Sequence, residues 1–219
     1  MKVILIRHGA TPGNLKHRYI GGRTDQHLSE AGADRLRELF NIGIYPDAEH
    51  IYISPMIRCR ETGAILFPNA RQSVVAGLKE MDFGIFEGRS ASEMEKDEAY
   101  QKWVASECED PIPEGEKKED FTERCVRAFL EVMQEGSVFE KDVQEDRKKE
   151  NGSDEKPVTV FVIHGGTIMA ILSRLGTPGR GYYDWYIKNG LGYLCDWDGE
   201  KLKVIQEYKD PAENDEKKN

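Results

Sequence analysis

The sequence predicts an α/β fold, a three-layer α/β/α sandwich around a mostly parallel central sheet. Apolar, β-branched runs alternate with helix-periodic segments, two of those runs end in a histidine followed by glycine, and 219 residues suffice for one such domain but not comfortably for two. Residues 2–6 are a short continuous apolar run stopped by Arg7-His8-Gly9, as expected of a central strand buried on both faces. From residue 29 to 40, Ala31, Leu36, Leu39 and Phe40 recur at helical spacing behind Ser29 as N-cap, with Gly32 a mild weakness. Residues 51–54 form a second strand closed by Pro55, and residues 56–66 read as helix up to Pro68.

Further along, residues 73–76 are a weaker strand, and residues 99–104 and 121–134 are helical, the latter with Phe121, Cys125, Ala128, Phe129 and Val132 on one face. Residues 157–163 are the strongest strand and run into His164-Gly165-Gly166, with a helix from 166 to 175. Residues 192–197 and 201–208 flank Asp198-Gly199-Glu200 and form a hairpin. The expected organisation is one domain over 1–209, with a charged surface insertion at 140–156 and a frayed charged tail at 210–219.

Composition narrows the function. With 32% charged and 38% hydrophobic residues the chain reads as a folded globular protein, and no apolar run reaches the roughly 18 residues of a membrane helix. Residues 1–6 meet Arg7 too early for a secretory signal, and Cys59, Cys108, Cys125 and Cys195 are spaced neither for zinc nor as a C-x-x-C pair. A cytoplasmic protein with free thiols is expected. A net charge of −9 argues against nucleic acid as partner, since such binders rely on basic surfaces. Residues 1–60 nevertheless hold nine Lys/Arg against six Asp/Glu, while the remainder holds twenty-two against thirty-four. An anionic ligand should therefore meet the first part of the chain.

In a parallel sheet, ligands collect at the carboxyl edge, where helix N-termini present unpaired N–H groups. His8 and His164 would meet there if their strands are neighbours. One histidine in such a place reads as structural; two in matching positions, one beside Arg7, read as a site. Zinc lacks a third ligand of suitable spacing, since His17, His27 and His50 lie in polar stretches, and neither a G-x-S-x-G elbow nor a Gly-Lys-Ser/Thr phosphate loop occurs. Arg7 and Arg58 both start from the same sheet edge, and guanidinium forks match phosphate oxygens. Two cations and two imidazoles make a pocket for a phosphoryl group that one neutral histidine attacks without a metal. The leaving oxygen needs a proton, for which Glu80 and Asp82 are the candidates. Phe83, Tyr100 and Trp103 are either packing residues or a stacking surface for a ring.

The stretch Leu5-Ile6-Arg7-His8-Gly9-Ala10-Thr11-Pro12-Gly13-Asn14 resembles the signature of the histidine phosphatase superfamily, the phosphoglycerate-mutase-like proteins. In the same order follow Tyr19-Ile20-Gly21, Asp25, Leu28-Ser29-Glu30-Ala31-Gly32, Ser54 to Thr62, Glu80, Phe83-Gly84, Glu87-Gly88 and Val162-Ile163-His164-Gly165-Gly166, so that the resemblance spans residues 2–176. It implies a phosphoglycerate-mutase-like fold, His8 as the phosphorylated nucleophile, Arg7, Arg58 and His164 as holders of the phosphoryl oxygens, and Glu80 as proton donor. Thr11, Asn14 and the N–H of Gly165 are implied as lining the same pocket. No cofactor is implied, and the partner is a small-molecule phosphate ester. Residues 100–116 lack the arginine pair with which mutases bind a substrate carboxylate, which favours a phosphatase. Residues 78–88 and 100–116 are similar to the α-ribazole phosphatase branch; a phosphoglycerate mutase is the alternative.

Overall fold

The computed structural model describes residues 1–150 and 158–210, with side chains for all of these outside 135–150. Chain order is β1 (Lys2–Arg7), α1 (Pro12–Leu15), α2 (Glu30–Asn41), β2 (His50–Ile53), α3 (Ile57–Leu66), β3 (Arg71–Val74), α4 (Glu98–Ala105), α5 (Lys118–Glu150), β4 (Val158–Ile163), α6 (Gly165–Leu175), β5 (Gly176–Thr177), β6 (Gly192–Trp197) and β7 (Leu202–Glu207). The seven strands form one sheet in the order β3-β2-β4-β1-β6-β7-β5. Only β6 runs against the others, pairing antiparallel with β1 and β7.

The helices cover both faces. Gly63 of α3 lies against Ile51 of β2, whereas Phe129 of α5 packs at 5.1 Å on Phe161, which stacks on Tyr52 at 5.4 Å. Ile51 and Tyr52 are successive strand residues and face opposite ways, so α3 and α5 belong to different layers. α2 packs with α3, and α5 with α6. The interior strands β1 and β4 are buried on both faces, which is why their sequences are continuous apolar runs rather than alternating ones.

β1 and β4 are parallel neighbours in register, Ile6 opposite Val162 and Arg7 opposite Ile163. The chain leaves β1 toward β2 on one side and leaves β4 toward β5 at the far edge on the other. A crevice therefore opens between their carboxyl ends, at a topological switch point.

Several boundaries differ from the sequence reading. The helix expected over 121–134 runs from Lys118 to Glu150, so it takes in residues 140–150 of the expected insertion. Glu, Lys, Gln and Arg are good helix formers without any apolar stripe, and a polar stretch can continue a helix already nucleated by its buried part. Residues 151–156 and the tail from 211 lie outside the described residues. Phe40 is exposed, because the buried face of α2 is Gly32, Leu36 and Leu39. β3 begins two residues earlier than expected, and the two-residue β5 and the single-turn α1 carry no periodicity by which to be found.

Gly32 is not a weakness. A Cβ there would stand 2.1 Å from the carbonyl oxygen of Ala10, which accepts hydrogen bonds from the Ser29 N–H at 2.9 Å and the Ser29 hydroxyl at 3.0 Å. The first turn of α2 thus docks on the loop that follows His8. Gly32→Ala should destabilise the protein by about 1–3 kcal/mol by overpacking, although helix propensity alone would make it stabilising by about 1 kcal/mol. Urea unfolding of the two proteins checks the sign.

Candidate active site

β1, β2 and β4 all end at one edge, and their next residues build the site. His8 and His164 pack edge to face, ring centroids 5.1 Å apart. His8 is held through its backbone: its N–H donates to Ile163 at 2.9 Å and its carbonyl accepts from the Asn189 amide at 2.9 Å. Its Nδ1 lies 2.7 Å from the carbonyl oxygen of Gly9. A carbonyl only accepts, so Nδ1 carries the proton and Nε2 keeps a lone pair. Burial, then the charges of Arg58 and Arg7, hold the His8 imidazole well below the usual histidine range, so the ring is neutral at pH 7.

His164 has the other tautomer. Nε of Arg58 donates to its Nδ1 at 3.2 Å, which puts the ring proton on Nε2, 2.6 Å from the Ser54 hydroxyl oxygen. Burial and Arg58 likewise press its basicity well down. Arg58 is itself fully buried on the inner face of α3, and its two terminal nitrogens each donate once, to the carbonyls of Thr24 at 3.0 Å and Gly21 at 3.2 Å. Next to it, Thr62 accepts from the Gly9 N–H at 3.0 Å and fixes the turn after His8.

Arg7 differs from Arg58 in having a guanidinium nitrogen with no partner at all. One guanidinium nitrogen donates to the Ile187 carbonyl at 2.7 Å, but Nε is buried with no hydrogen-bond partner. A buried N–H left unsatisfied costs roughly 1–3 kcal/mol, and an anionic oxygen would satisfy it. Glu80 faces the same space. Its carboxylate oxygens accept from the N–H of Met81 at 3.0 Å and of Gly166, in the first turn of α6, at 3.1 Å. Burial raises its pKa above the usual carboxylate value, only partly offset by those hydrogen bonds and by the two arginines. The protonated acid is correspondingly favoured.

A cavity of about 300 Å³ opens over these groups. Arg7, His8, Asn14, Glu80 and Gly165 line it, as five of the eight sequence-derived site residues. Asn14 uses its amide oxygen on the N–H and hydroxyl of Thr11, both at 3.1 Å, which leaves Nδ2 as the donor it can offer. Thr11, Arg58 and His164 are not walls of the cavity. Thr11 is fully buried as the N-cap of α1, and Arg58 and His164 stand behind His8. Asp82 also falls away from the site: its carboxylate pairs with Arg23 at 2.8 Å and accepts from the Gly84 N–H at 2.8 Å.

Of the three aromatics singled out from sequence, Trp103 and Phe83 line the cavity, whereas Tyr100 sits behind them, its hydroxyl 3.0 Å from that of Tyr19. Sequence reasoning missed Asn189 and the wall residues Arg18, Lys118, Tyr182, Tyr183 and Tyr186. The run Tyr182-Tyr183-Asp184-Trp185-Tyr186 was a signal, since so aromatic a loop without strand alternation has no place in a regular core.

The opposite tautomers of the two rings are measurable. Nitrogen-15 shifts at pH 7 should show His8 protonated on Nδ1 and His164 on Nε2, both neutral; a cationic ring or a shared tautomer contradicts the hydrogen-bond pattern.

Residues 3–210 match the histidine phosphatase superfamily (branch 1). A probable phosphoglycerate mutase of Enterobacter sp. (strain 638) is 27% identical over 143 residues, 63% of this chain and 66% of that one, so the chain spans just under two thirds of such a relative. A broad-specificity phosphatase of Saccharomyces cerevisiae is 28% identical over 185 residues, 80% of this chain and 70% of that one. The crystal structure of the α-ribazole phosphatase from Shigella flexneri superposes with a TM-score of 0.76 at 20% identity, covering 95% of this chain and 96% of that one.

Proposed function

Since the chain belongs to the histidine phosphatase superfamily, we propose that it is a metal-independent phosphomonoesterase, which takes the phosphoryl group of a small phosphate ester onto His8 and delivers it to water. The observation that carries this is the bond from His8 Nδ1–H to the Gly9 carbonyl, because it aims a neutral nitrogen lone pair, Nε2, away from its own backbone. In the first step Nε2 forms the N–P bond as the ester P–O bond breaks, and the departing alcohol oxygen takes its proton from the Glu80 carboxyl. The positive charge that develops on the ring is shared with the Gly9 carbonyl through Nδ1–H. In the second step water attacks phosphorus, its proton passes to the Glu80 carboxylate, and the N–P bond breaks to return neutral His8 and inorganic phosphate.

Charge gathers on the equatorial phosphoryl oxygens during both steps, so preorganised cations and N–H donors do most of the work. Arg7 supplies its unpartnered Nε, Asn14 its amide and Gly165 its N–H. Arg58 acts from behind, through its charge and by fixing the His164 ring against which His8 packs.

The names of the bacterial relatives support a second reading, phosphoryl return to a bound sugar acid. The cavity's charges speak against it. A substrate carboxylate needs an uncommitted cation, yet Arg18 is paired with Glu93 at 2.6 Å and Lys118 with Glu109. An assay with 3-phosphoglycerate plus 2,3-bisphosphoglycerate separates the two: free phosphate is expected, and 2-phosphoglycerate formed without it would establish the mutase. α-Ribazole phosphate belongs in the same screen, run in EDTA, where activity should persist.

His8→Ala should lower kcat by about a thousandfold or more and abolish the acid-quenched phosphoenzyme. Glu80→Gln should cost about 10²- to 10⁴-fold on alkyl phosphates and much less on 4-nitrophenyl phosphate, whose leaving group needs no proton.

The pH profile follows from the two shifts. His8 must be neutral, and its lowered pKa moves the acid limb of kcat/KM below the usual imidazole range; Glu80 must be protonated, and its raised pKa carries the alkaline limb above the usual carboxylate range. The optimum should lie on the acid side of neutrality, and Glu80→Gln should flatten the alkaline limb. An optimum near pH 9 would contradict the pairing.

A further inference from the structure

Beyond the phosphoryl end, the cavity is walled by two aromatic segments. Trp103 on α4, with Phe83 and Tyr19, belongs to a packed cluster: the Tyr19 ring lies 5.1 Å from Phe83 and 6.0 Å from Trp103, and Phe86 stands behind at 5.5 Å from Trp103. The second segment is the 3₁₀ turn Tyr182–Trp185 with Tyr186, tied to α6 by the Tyr182 hydroxyl, which donates to the Gly166 carbonyl at 3.3 Å. Met81 and Met169 fill between them as polarisable, adaptable surface.

The cations of this outer half are already neutralised. Arg18 makes a two-pronged bond to Glu93, at 2.6 and 3.0 Å, and also holds the Gly88 carbonyl. Lys118 is paired with Glu109, and its ammonium lies 5.4 Å from the ring centres of both Tyr182 and Tyr183. Among the described residues lining the cavity, Arg7 alone is a cation without a carboxylate partner, and it stands at the phosphoryl end.

We infer that the leaving-group half of the cavity selects an uncharged alcohol carrying a planar ring. This rests on the phosphatase reading and adds the class of ester to it. A ring gains from edge and face contacts with Trp103, Tyr182 and Tyr183, whereas a second anionic group meets cations whose charge Glu93 and Glu109 already offset, and gains little there.

The test compares esters of primary alcohols, so that leaving-group basicity is held nearly constant: benzyl phosphate, glycerol 3-phosphate and 3-phosphoglycerate. kcat/KM should be about tenfold or more higher for benzyl phosphate than for glycerol 3-phosphate, with 3-phosphoglycerate lowest. Trp103→Ala should bring the benzyl-to-glycerol ratio toward one, and Glu109→Gln, which uncages Lys118, should raise the relative rate on 3-phosphoglycerate. Equal or better turnover of glycerol 3-phosphate or 3-phosphoglycerate by the native enzyme overturns the inference. Binding keeps this separate from the phosphatase reading. If no ester is hydrolysed, that reading fails, while calorimetry with benzylphosphonate against 2-carboxyethylphosphonate still decides the present one: tighter benzylphosphonate supports it, and tighter carboxyethylphosphonate sinks it.

Discussion

The site depends on one charge that never meets solvent. Arg58 is completely buried, and its three hydrogen bonds run to the Thr24 and Gly21 carbonyls and to His164 Nδ1, none of them to a carboxylate. Removing a guanidinium from water costs several kcal/mol, and backbone carbonyls compensate it without cancelling its field. The uncancelled field is what the neighbouring groups respond to. Second only to burial, it disfavours a further proton on either imidazole; it decides which nitrogen of His164 carries the proton, and it leaves a positive environment suited to an anionic group.

The carbonyls that hold Arg58 must themselves be held, and that requirement organises the loops. Glu87 accepts from the N–H of Gly21 at 3.1 Å, the N–H of Arg23 at 3.2 Å and the hydroxyl of Thr24 at 2.7 Å, gathering residues 21–24 under the guanidinium. Gly21 approaches the Met81 carbonyl so closely that a Cβ would lie 2.1 Å from it. The segment carrying Arg58's acceptors and the segment carrying Glu80 are thus one packed unit. A displacement of either would move the Arg58 charge and the Glu80 carboxyl together, which suits the proposed reaction, where both are needed at fixed distance from one phosphorus.

Much of this was legible in the chain because it is written in strand ends. An apolar run that stops at a histidine and a glycine marks the carboxyl edge of a buried strand, and finding that pattern at both His8 and His164 places two imidazoles together before any coordinates are known. Arg58 and Glu80 follow from their position just after a strand and from the family resemblance. Motif matching does not tell a cavity wall from support: Thr11 sits inside the motif but caps α1, and Arg58 and His164 stand behind His8 rather than lining the cavity. Asn189, Tyr182, Tyr183 and Tyr186 went unseen because they lie in turns, where neither a period of 2 nor one of 3.6 reports burial. The length of α5 was missed for the converse reason, since helix propensity continues where the apolar stripe ends.

Glu80 shows why burial and cations have to be set against each other. Ionised, its carboxylate would cancel one of the two arginines and repel an incoming phosphate dianion; protonated, it leaves both positive charges to the substrate. Desolvation is the largest influence on this group and favours the neutral acid, while Arg7, Arg58 and the N–H groups of Met81 and Gly166 oppose it. In the proposed reaction, a dianion at the arginines would screen their pull on Glu80 and add its own repulsion, so binding would push the acid further toward its protonated form. On that proposal, the event that creates the demand for a proton donor would also stabilise the donor. No separate device is needed to couple the two, because the coupling resides in a carboxyl buried beside cations that the substrate itself neutralises.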